Sequence, residues 1–207
     1  MDAQLDEIDA VFLDLDGTIY LGNNLIEGAL EFLDRCDERG VKRYFLSNNS
    51  SRSVKQYVKK LHAFGIPAVG DDVLLSTHDL LAWLKSNSIS KTWLIGTEGM
   101  REMLEEKGIE TRSKHPEYVV LGYDTEIDYE KLSKASIFLH AGVPMVASHP
   151  DMVWASDDGG LSDVGVYRAV IKITTGVEPV HITGKVNEGR IERKIEVLGV
   201  ENAGGAR

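Results

Sequence analysis

The chain has 207 residues, room for one large domain or two small ones. Its 43% hydrophobic and 27% charged content is that of a soluble globular protein with a sizeable core, and no apolar run approaches membrane-spanning length. A net charge of -10 argues against nucleic-acid or membrane-surface partners, which need a basic face, and leaves attraction of an anionic substrate to a metal or a placed lysine. The acidic start, M-D-A-Q-L-D-E-I-D-A, lacks an apolar signal region, so the cytoplasm is the expected location. Cys36 is the only cysteine, which rules out an internal disulfide; it falls in a predicted helix and is expected in the core.

Strand and helix patterns alternate along the chain, which points to an α/β protein with a largely parallel sheet. Val11 to Asp14 is a short apolar strand. Ala29, Leu30, Phe32, Leu33 and Cys36 mark a helix face closed by Gly40. A second strand, Arg43 to Leu46, ends in Ser47-Asn48-Asn49-Ser50-Ser51. Val54, Tyr57, Val58 and Leu61 mark the next helix, and Val73 to Leu75 a third strand. A similar series then begins. Leu80, Leu81 and Leu84 give a helix, Thr92 to Ile95 a strand, and Met100, Met103 and Leu104 a helix ending by Gly108. Tyr118 to Leu121 is a strand, Tyr129 to Leu139 a helix and Pro144 to Ala147 a strand. A loop at Asp157 to Gly160 interrupts the series. Val166 to Ile173 is predicted as a helix, Val180 to Thr183 as a strand and Ile191 to Leu198 as the last helix. The tail, Glu201 to Arg207, is expected to fray. Residues 77–178 thus read as a separate α/β unit inserted into a core made of residues 1–76 and 179–207.

The chemistry concentrates at three places. In V-F-L-D-L-D-G-T-I-Y, Asp14 and Asp16 stand two apart at a strand end, so both carboxylates point the same way. Like charges that close raise each other's pKa unless a cation relieves them, and a hard divalent ion such as Mg2+ is the simplest relief. One carboxylate could then attack phosphorus while the other moves a proton. Ser47-Asn48 lies at the end of the second strand, and ligands in open α/β sheets bind outside the carboxyl ends of strands. A hydroxyl and successive backbone N–H groups suit phosphate oxygens there, although a turn capping the next helix fits as well. Gly184-Lys185 follows the later strand, where an ammonium can offset charge on phosphate and nucleophile.

Taken in order, D-L-D-G-T, F-L-S-N-N-S-S-R and I-T-G-K resemble the haloacid-dehalogenase-like hydrolase superfamily. The inserted unit is similar to the large α/β cap of its NagD and p-nitrophenylphosphatase-like members; E-Y-V-V-L-G-Y-D and V-A-S-H-P-D fit that cap. The resemblance implies a Rossmann-like parallel-sheet core with a cap, and a Mg2+-dependent phosphomonoesterase acting on a small phosphorylated metabolite. By position, Asp14 is the nucleophile that forms an aspartyl-phosphate, and Asp16 the acid and then the base. Ser47 and the N–H of Asn48 hold the phosphoryl group. Lys185 orients the nucleophile and offsets charge. Mg2+ is held by Asp14 and the Asp16 carbonyl. His149, in the cap loop where the family often has asparagine, is a candidate substrate contact.

The chain departs from the family after Lys185. Val186 stands where proline is usual, and V-E-N-A-G-G-A-R follows the last helix in place of a strand ending in G-D. The core therefore reads as incomplete. The expectation is an edge beside Val11 to Asp14 that is open, covered by the tail, or paired in a homodimer. Metal affinity and activity are expected to be low. Asp157, Asp158 and Asp163 form a weaker candidate for a replacement metal cluster. Two further functions fit the same motifs: a weak or inactive phosphate-binding protein, and a phosphotransferase.

Overall fold

The computed structural model of the protein describes residues 5, 7–156, 158–184 and 203–206. The first sheet opens with β1 (Ala10–Asp14). A small antiparallel ribbon follows, β2 (Tyr20–Leu21) with β3 (Asn24–Leu25). Then come α1 (Ala29–Glu38), β4 (Lys42–Ser47), α2 (Val54–Ala63) and β5 (Val73–Leu75). β1, β4 and β5 are parallel neighbours. Alternation sets the faces. Val11, Leu13, Phe45, Val73 and Leu75 turn toward Leu33 and Cys36 of α1 and Tyr57 and Leu61 of α2, one buried cluster. Phe12, Tyr44 and Leu46 face the other way, with the Phe12 and Tyr44 rings stacked at 5.2 Å.

α3 (Ser76–Ser86) starts at the residue after β5 and carries the chain to a second sheet. There β6 (Thr92–Ile95), α4 (Glu98–Glu105), β7 (Tyr118–Leu121), α5 (Tyr129–His140) and β8 (Met145–Ala147) alternate. β9 (Val153–Ser156) and β10 (Gly159–Ser162) form an antiparallel ribbon, and α6 (Val164–Thr175) leads into β11 (His181–Ile182). The sheet order is β11-β8-β7-β6, all parallel. β6, β7 and β8 are buried on both faces. Ile95, Val119, Leu121 and Ala147 pack with Ala135 and Leu139 of α5 and Ile171 of α6. Leu94, Val120 and Val146 pack with Leu80 and Leu84 of α3 and Leu104 of α4. That is why these strands read as unbroken apolar runs. A buried ion pair pins α5. The Lys131 ammonium meets Asp124 at 2.9 Å and donates to the carbonyls of Gly96 and Glu126, so neither charge is left unpaired.

Three expectations need correction. The strand at residues 180–183 belongs to the second sheet, because β11 pairs with β8 and Ile182 packs on the second unit's cluster. The Asp157–Gly160 segment is no simple loop: Gly159 and Gly160 are part of a strand paired with β9. The tail does not fray throughout, since β12 (Ala203–Ala206) runs parallel to β1 with Ala10 opposite Ala203 and Leu13 opposite Ala206. The unpaired side of β1 is thus covered within the chain, and the first sheet has the order β12-β1-β4-β5. The predicted helix Ile191 to Leu198 lies outside the described residues. Among the described residues, no helix is long and apolar enough to cross a membrane.

A variant ending before Ala203 should expose the N–H and C=O groups of β1 that β12 pairs. The expected outcome is a lower melting temperature and a solution mass that rises with concentration, read by light scattering. An unchanged melting point and mass would contradict the role given to β12.

Candidate active site

Asp14 is the last residue of β1 and sits opposite Leu46 of β4. The next rung follows the same register, with the Leu15 N–H donating to the Leu46 carbonyl at 3.1 Å. The carboxyl edges of β1 and β4 therefore end side by side. Beyond Asp16 the chain turns sharply. Gly17 has φ +84°, which suits glycine, and the N–H groups of Thr18, Ile19 and Tyr20 all converge on the Leu15 carbonyl. The turn brings Asp16 back toward β4, so the Ser47 Oγ lies 3.4 Å from the Asp16 Oδ2. Asp14 and Asp16 are half-buried, and Ser47 is buried.

The Ser47 oxygen is fixed from below. It accepts the Asn49 N–H at 3.1 Å and lies 3.1 Å from the Tyr57 hydroxyl, which itself donates to the Asn49 carbonyl at 3.2 Å. Burial, and next the Asp16 charge, push the Tyr57 phenol well above its ordinary value. The same two causes act on Tyr20. Both stay neutral, which keeps further negative charge away from the two carboxylates. The Ser47–Asn48 turn is not the cap of α2. That helix is capped by Ser53, whose Oγ accepts the Gln56 N–H while the Gln56 Oε1 accepts the Ser53 N–H.

Asn48 lies where the two sheets meet. Its Nδ2 donates to the Asp151 Oδ2 at 2.8 Å, and its carbonyl accepts from the Ser76 Oγ at 2.7 Å. Lys185 and Val186 lie outside the described residues. The chain before them passes beside Asn48: a Cβ on Gly184 would stand 3.1 Å from the Asn48 Oδ1 and 2.9 Å from the His149 Cβ. The expected substrate contact through His149 is corrected. Its side chain is fully buried, with Nδ1 2.9 Å from the Ser148 Oγ and Nε2 2.8 Å from the Asp163 Oδ1. Both nitrogens are thus used inside the second unit. The weaker acidic cluster is described only in part. Asp157 lies outside the described residues and Asp158 is exposed, while Asp163 is buried and caps α6.

Tyr57 and Asp151 are polar partners of the site that sequence reading did not single out. Tyr57 was visible only as one apolar position of a helix face. Asp151 stood in plain view at the end of V-A-S-H-P-D, but nothing in spacing ties it to a residue 103 positions earlier.

The donor set at the β1 edge suits a hard divalent cation. Asp14, Asp16 and the Asp16 carbonyl offer only oxygen. Comparison with known proteins agrees with this architecture. Residues 11–110 match the family model of the haloacid dehalogenase-like hydrolases. The 5′-nucleotidase YutF of Bacillus subtilis is 35% identical over 192 residues, which is 91% of this chain and 74% of that protein. The 4-nitrophenylphosphatase of Thermotoga maritima superposes with a TM-score of 0.88 at 36% identity, covering 94% of this chain and 75% of that one. A glycerol phosphate phosphatase of Mycobacterium tuberculosis, solved in complex with magnesium, superposes with a TM-score of 0.88 at 26% identity, covering 99% of this chain and 64% of that one. The protein belongs to the haloacid dehalogenase-like hydrolases. Among them it stands with the NagD and p-nitrophenylphosphatase-like members.

The buried phenols predict an alkaline limit. In the unfolded chain tyrosines ionise near pH 10. In the folded protein Tyr57 and Tyr20 are held higher, and burial, with Asp163 and Tyr167 nearby, pushes Tyr123 up to about 12. Above pH 10 the unfolded state therefore holds fewer protons, so the stability these groups give is full below about pH 10 and is lost as pH rises through their folded values. Tyr57→Phe should flatten that loss in urea titrations from about pH 9 to 12. It should also cost about 1–3 kcal/mol at neutral pH, by leaving the Asn49 carbonyl without its donor. An unchanged alkaline slope and an unchanged urea midpoint would contradict this assignment.

Proposed function

We propose that the protein is a divalent-metal-dependent phosphomonoesterase that hydrolyses a small phosphorylated metabolite through an aspartyl-phosphate on Asp14. The observation that carries this reading is the 3.4 Å approach of the Ser47 hydroxyl to the Asp16 carboxylate, beside Asp14 at one carboxyl edge. A phosphoryl group set between Asp14 and Ser47 has a nucleophile on one side and a hydroxyl donor on the other.

In the first step an Asp14 oxygen attacks phosphorus, and the bond from phosphorus to the ester oxygen breaks. The Asp16 carboxyl gives its proton to the departing alkoxide. In the second step Asp16, now a carboxylate, takes a proton from water as that water attacks the aspartyl-phosphate. Inorganic phosphate leaves and Asp14 is restored. Ser47 and the Asn48 N–H hold phosphoryl oxygens in both steps, and Lys185 offsets their charge. Mg2+ held by Asp14 and the Asp16 carbonyl would neutralise charge on phosphate and nucleophile. The second sheet, with β11, serves as the cap. It excludes water and selects the rest of the substrate.

The named activities of the relatives support the reaction class, as they act on a nucleotide, an aryl phosphate and glycerol phosphate. The magnesium in the last of these supports the metal.

Turnover of p-nitrophenyl phosphate should disappear on chelation and return with Mg2+. Asp14→Asn should lower kcat by about a thousandfold or more with the fold intact. Asp16→Asn should also be severe, and its intact mass after exposure to substrate should show a covalent phosphate. Asp14→Asn retaining turnover within a few-fold of the parent would overturn the covalent mechanism.

A further inference from the structure

The loop V-A-S-H-P-D of the second unit ends on a carboxylate that touches the phosphate loop of the first. We propose that Asp151 is a positioning residue for phosphoryl binding: its grip on the Asn48 amide fixes the Ser47–Asn48 turn that holds the phosphoryl group. The proposal rests on the phosphatase reading above.

The base of Asp151 is rigid. Its carbonyl accepts the Gly165 N–H at 2.8 Å, and the next carbonyl, Met152, accepts the Asp163 N–H at 3.1 Å. Both donors belong to the start of α6. A Cβ on Gly165 would stand 3.0 Å from the carbonyl oxygens of Pro150 and Asp151, so the loop lies directly on that helix turn. A chain of buried hydrogen bonds ties the same loop to the far end of the phosphate turn. The Tyr123 N–H donates to the Ser50 Oγ at 2.8 Å, which lies 3.0 Å from the Ser148 Oγ. Ser148 reaches the His149 Nδ1 and the His149 Nε2 reaches Asp163, which also accepts the Val164 N–H. One direction of donation satisfies every member: Ser50 to Ser148, Ser148 to His149, His149 to Asp163. Ser50, Ser148 and His149 are all fully buried.

Asn48 is gripped twice, and only the second grip comes from this frame. The Ser76 hydroxyl holds its carbonyl, and Asp151 holds its side chain. With its carbonyl held by Ser76 and its side chain by Asp151, the Asn48 Cα, Cβ and carbonyl carbon are fixed, and the tetrahedral Cα then fixes where the Asn48 nitrogen stands. The contact thereby sets the place from which the N–H after Ser47 is presented. A carboxylate bears the wrong charge to touch phosphate itself, and a nitrogen of His149 and oxygens of Asp151 and Asp163 already crowd within 4.8 Å of one another. The bond to an ionised acceptor is roughly twice as strong as a neutral one, which suits a grip rather than a ligand.

The sign of the effect separates positioning from electrostatics. If Asp151 acted only through its charge, removing that charge would strengthen anion binding in both Asp151→Asn and Asp151→Ala. If it positions Asn48, Asp151→Asn keeps an accepting oxygen and Asp151→Ala does not. Steady-state kinetics with p-nitrophenyl phosphate and inhibition by orthovanadate, both with Mg2+, test this alongside melting temperatures. Asp151→Ala should raise KM and the vanadate inhibition constant by about tenfold with kcat changed by less than about threefold, while Asp151→Asn stays within about threefold of the parent. Asn48→Ala and Asn48→Ala/Asp151→Ala should give the same losses, since they remove one contact. Equal effects of the two Asp151 variants, or additive effects of Asn48→Ala and Asp151→Ala, would overturn the proposal while leaving the phosphatase reading in place. A parent that neither turns over the ester nor binds vanadate would overturn both.

Discussion

The turn from Ser47 to Ser53 cannot satisfy its own polar groups, and the rest of the site follows from that. Ser47, Asn49, Ser50 and Ser53 are all buried there. Buried hydroxyls, amides and carbonyls need partners. Only some come from the first unit, notably Tyr57. Ser76, where α3 begins, serves the Asn48 carbonyl, and the others come from across the seam: Thr97 to the Ser51 carbonyl at 2.6 Å, the Tyr123 N–H and Ser148 to Ser50, and Asp151 to the Asn48 amide. The phosphate turn is thus built jointly by both sheets. Without the second unit it would lose several of the partners that set its shape.

That joint construction demands close approach, and small residues supply it. A Cβ on Gly99, in the first turn of α4, would fall 2.9 Å from the Ser53 N and 2.5 Å from the Gln56 Oε1. One on Gly122, after β7, would stand 3.2 Å from the Ser50 Oγ, and Gly184 is equally confined against Asn48 and His149. Gly99, Gly122 and Gly184 therefore press on one stretch of the first unit, from Asn48 to Gln56. The N-cap of α4 shows the same economy. The Thr97 Oγ1 accepts the Met100 N–H and donates to the Ser51 carbonyl, so one hydroxyl closes a helix end and a seam.

What could be read from the sequence was what has a local pattern. The doubly buried strands W-L-I and V-V-L announce themselves as apolar runs, and D-L-D-G-T at a strand end places two carboxylates together whatever packs around them. The ribbon of β9 and β10 was missed for a physical reason. Val153 is 62% exposed and Leu161 43%, so these apolar positions mark no buried face, and Gly159 and Gly160 weaken the strand signal. β12 reads A-G-G-A, poor strand formers. It is a strand because β1 offers it a row of unpaired backbone groups, a property of the neighbour rather than of the segment. His149 misled because its motif fixes its place in the loop but not its partners. Asp163, fourteen residues later, decides that its ring turns inward.

Apart from Met103 of α4, which packs into the first unit's cluster, the two units keep separate apolar cores, and this decides which substitutions harm the fold and which harm the site. Leu61 and Leu75 lie in one core, Leu121 and Ala147 in another, and what joins the units at the turn is polar. Truncating a buried leucine costs roughly 2–5 kcal/mol, a large share of a domain's total stability. Losing one seam hydrogen bond costs about 1 kcal/mol, too little to unfold either unit. The same energy is about a fivefold shift between two conformations. Applied to the turn at Ser47, it would spread the donors over several geometries while leaving the protein folded. The polar seam is therefore where this structure holds its geometry with least stability in reserve, and it lies beside the edge that carries Asp14 and Asp16.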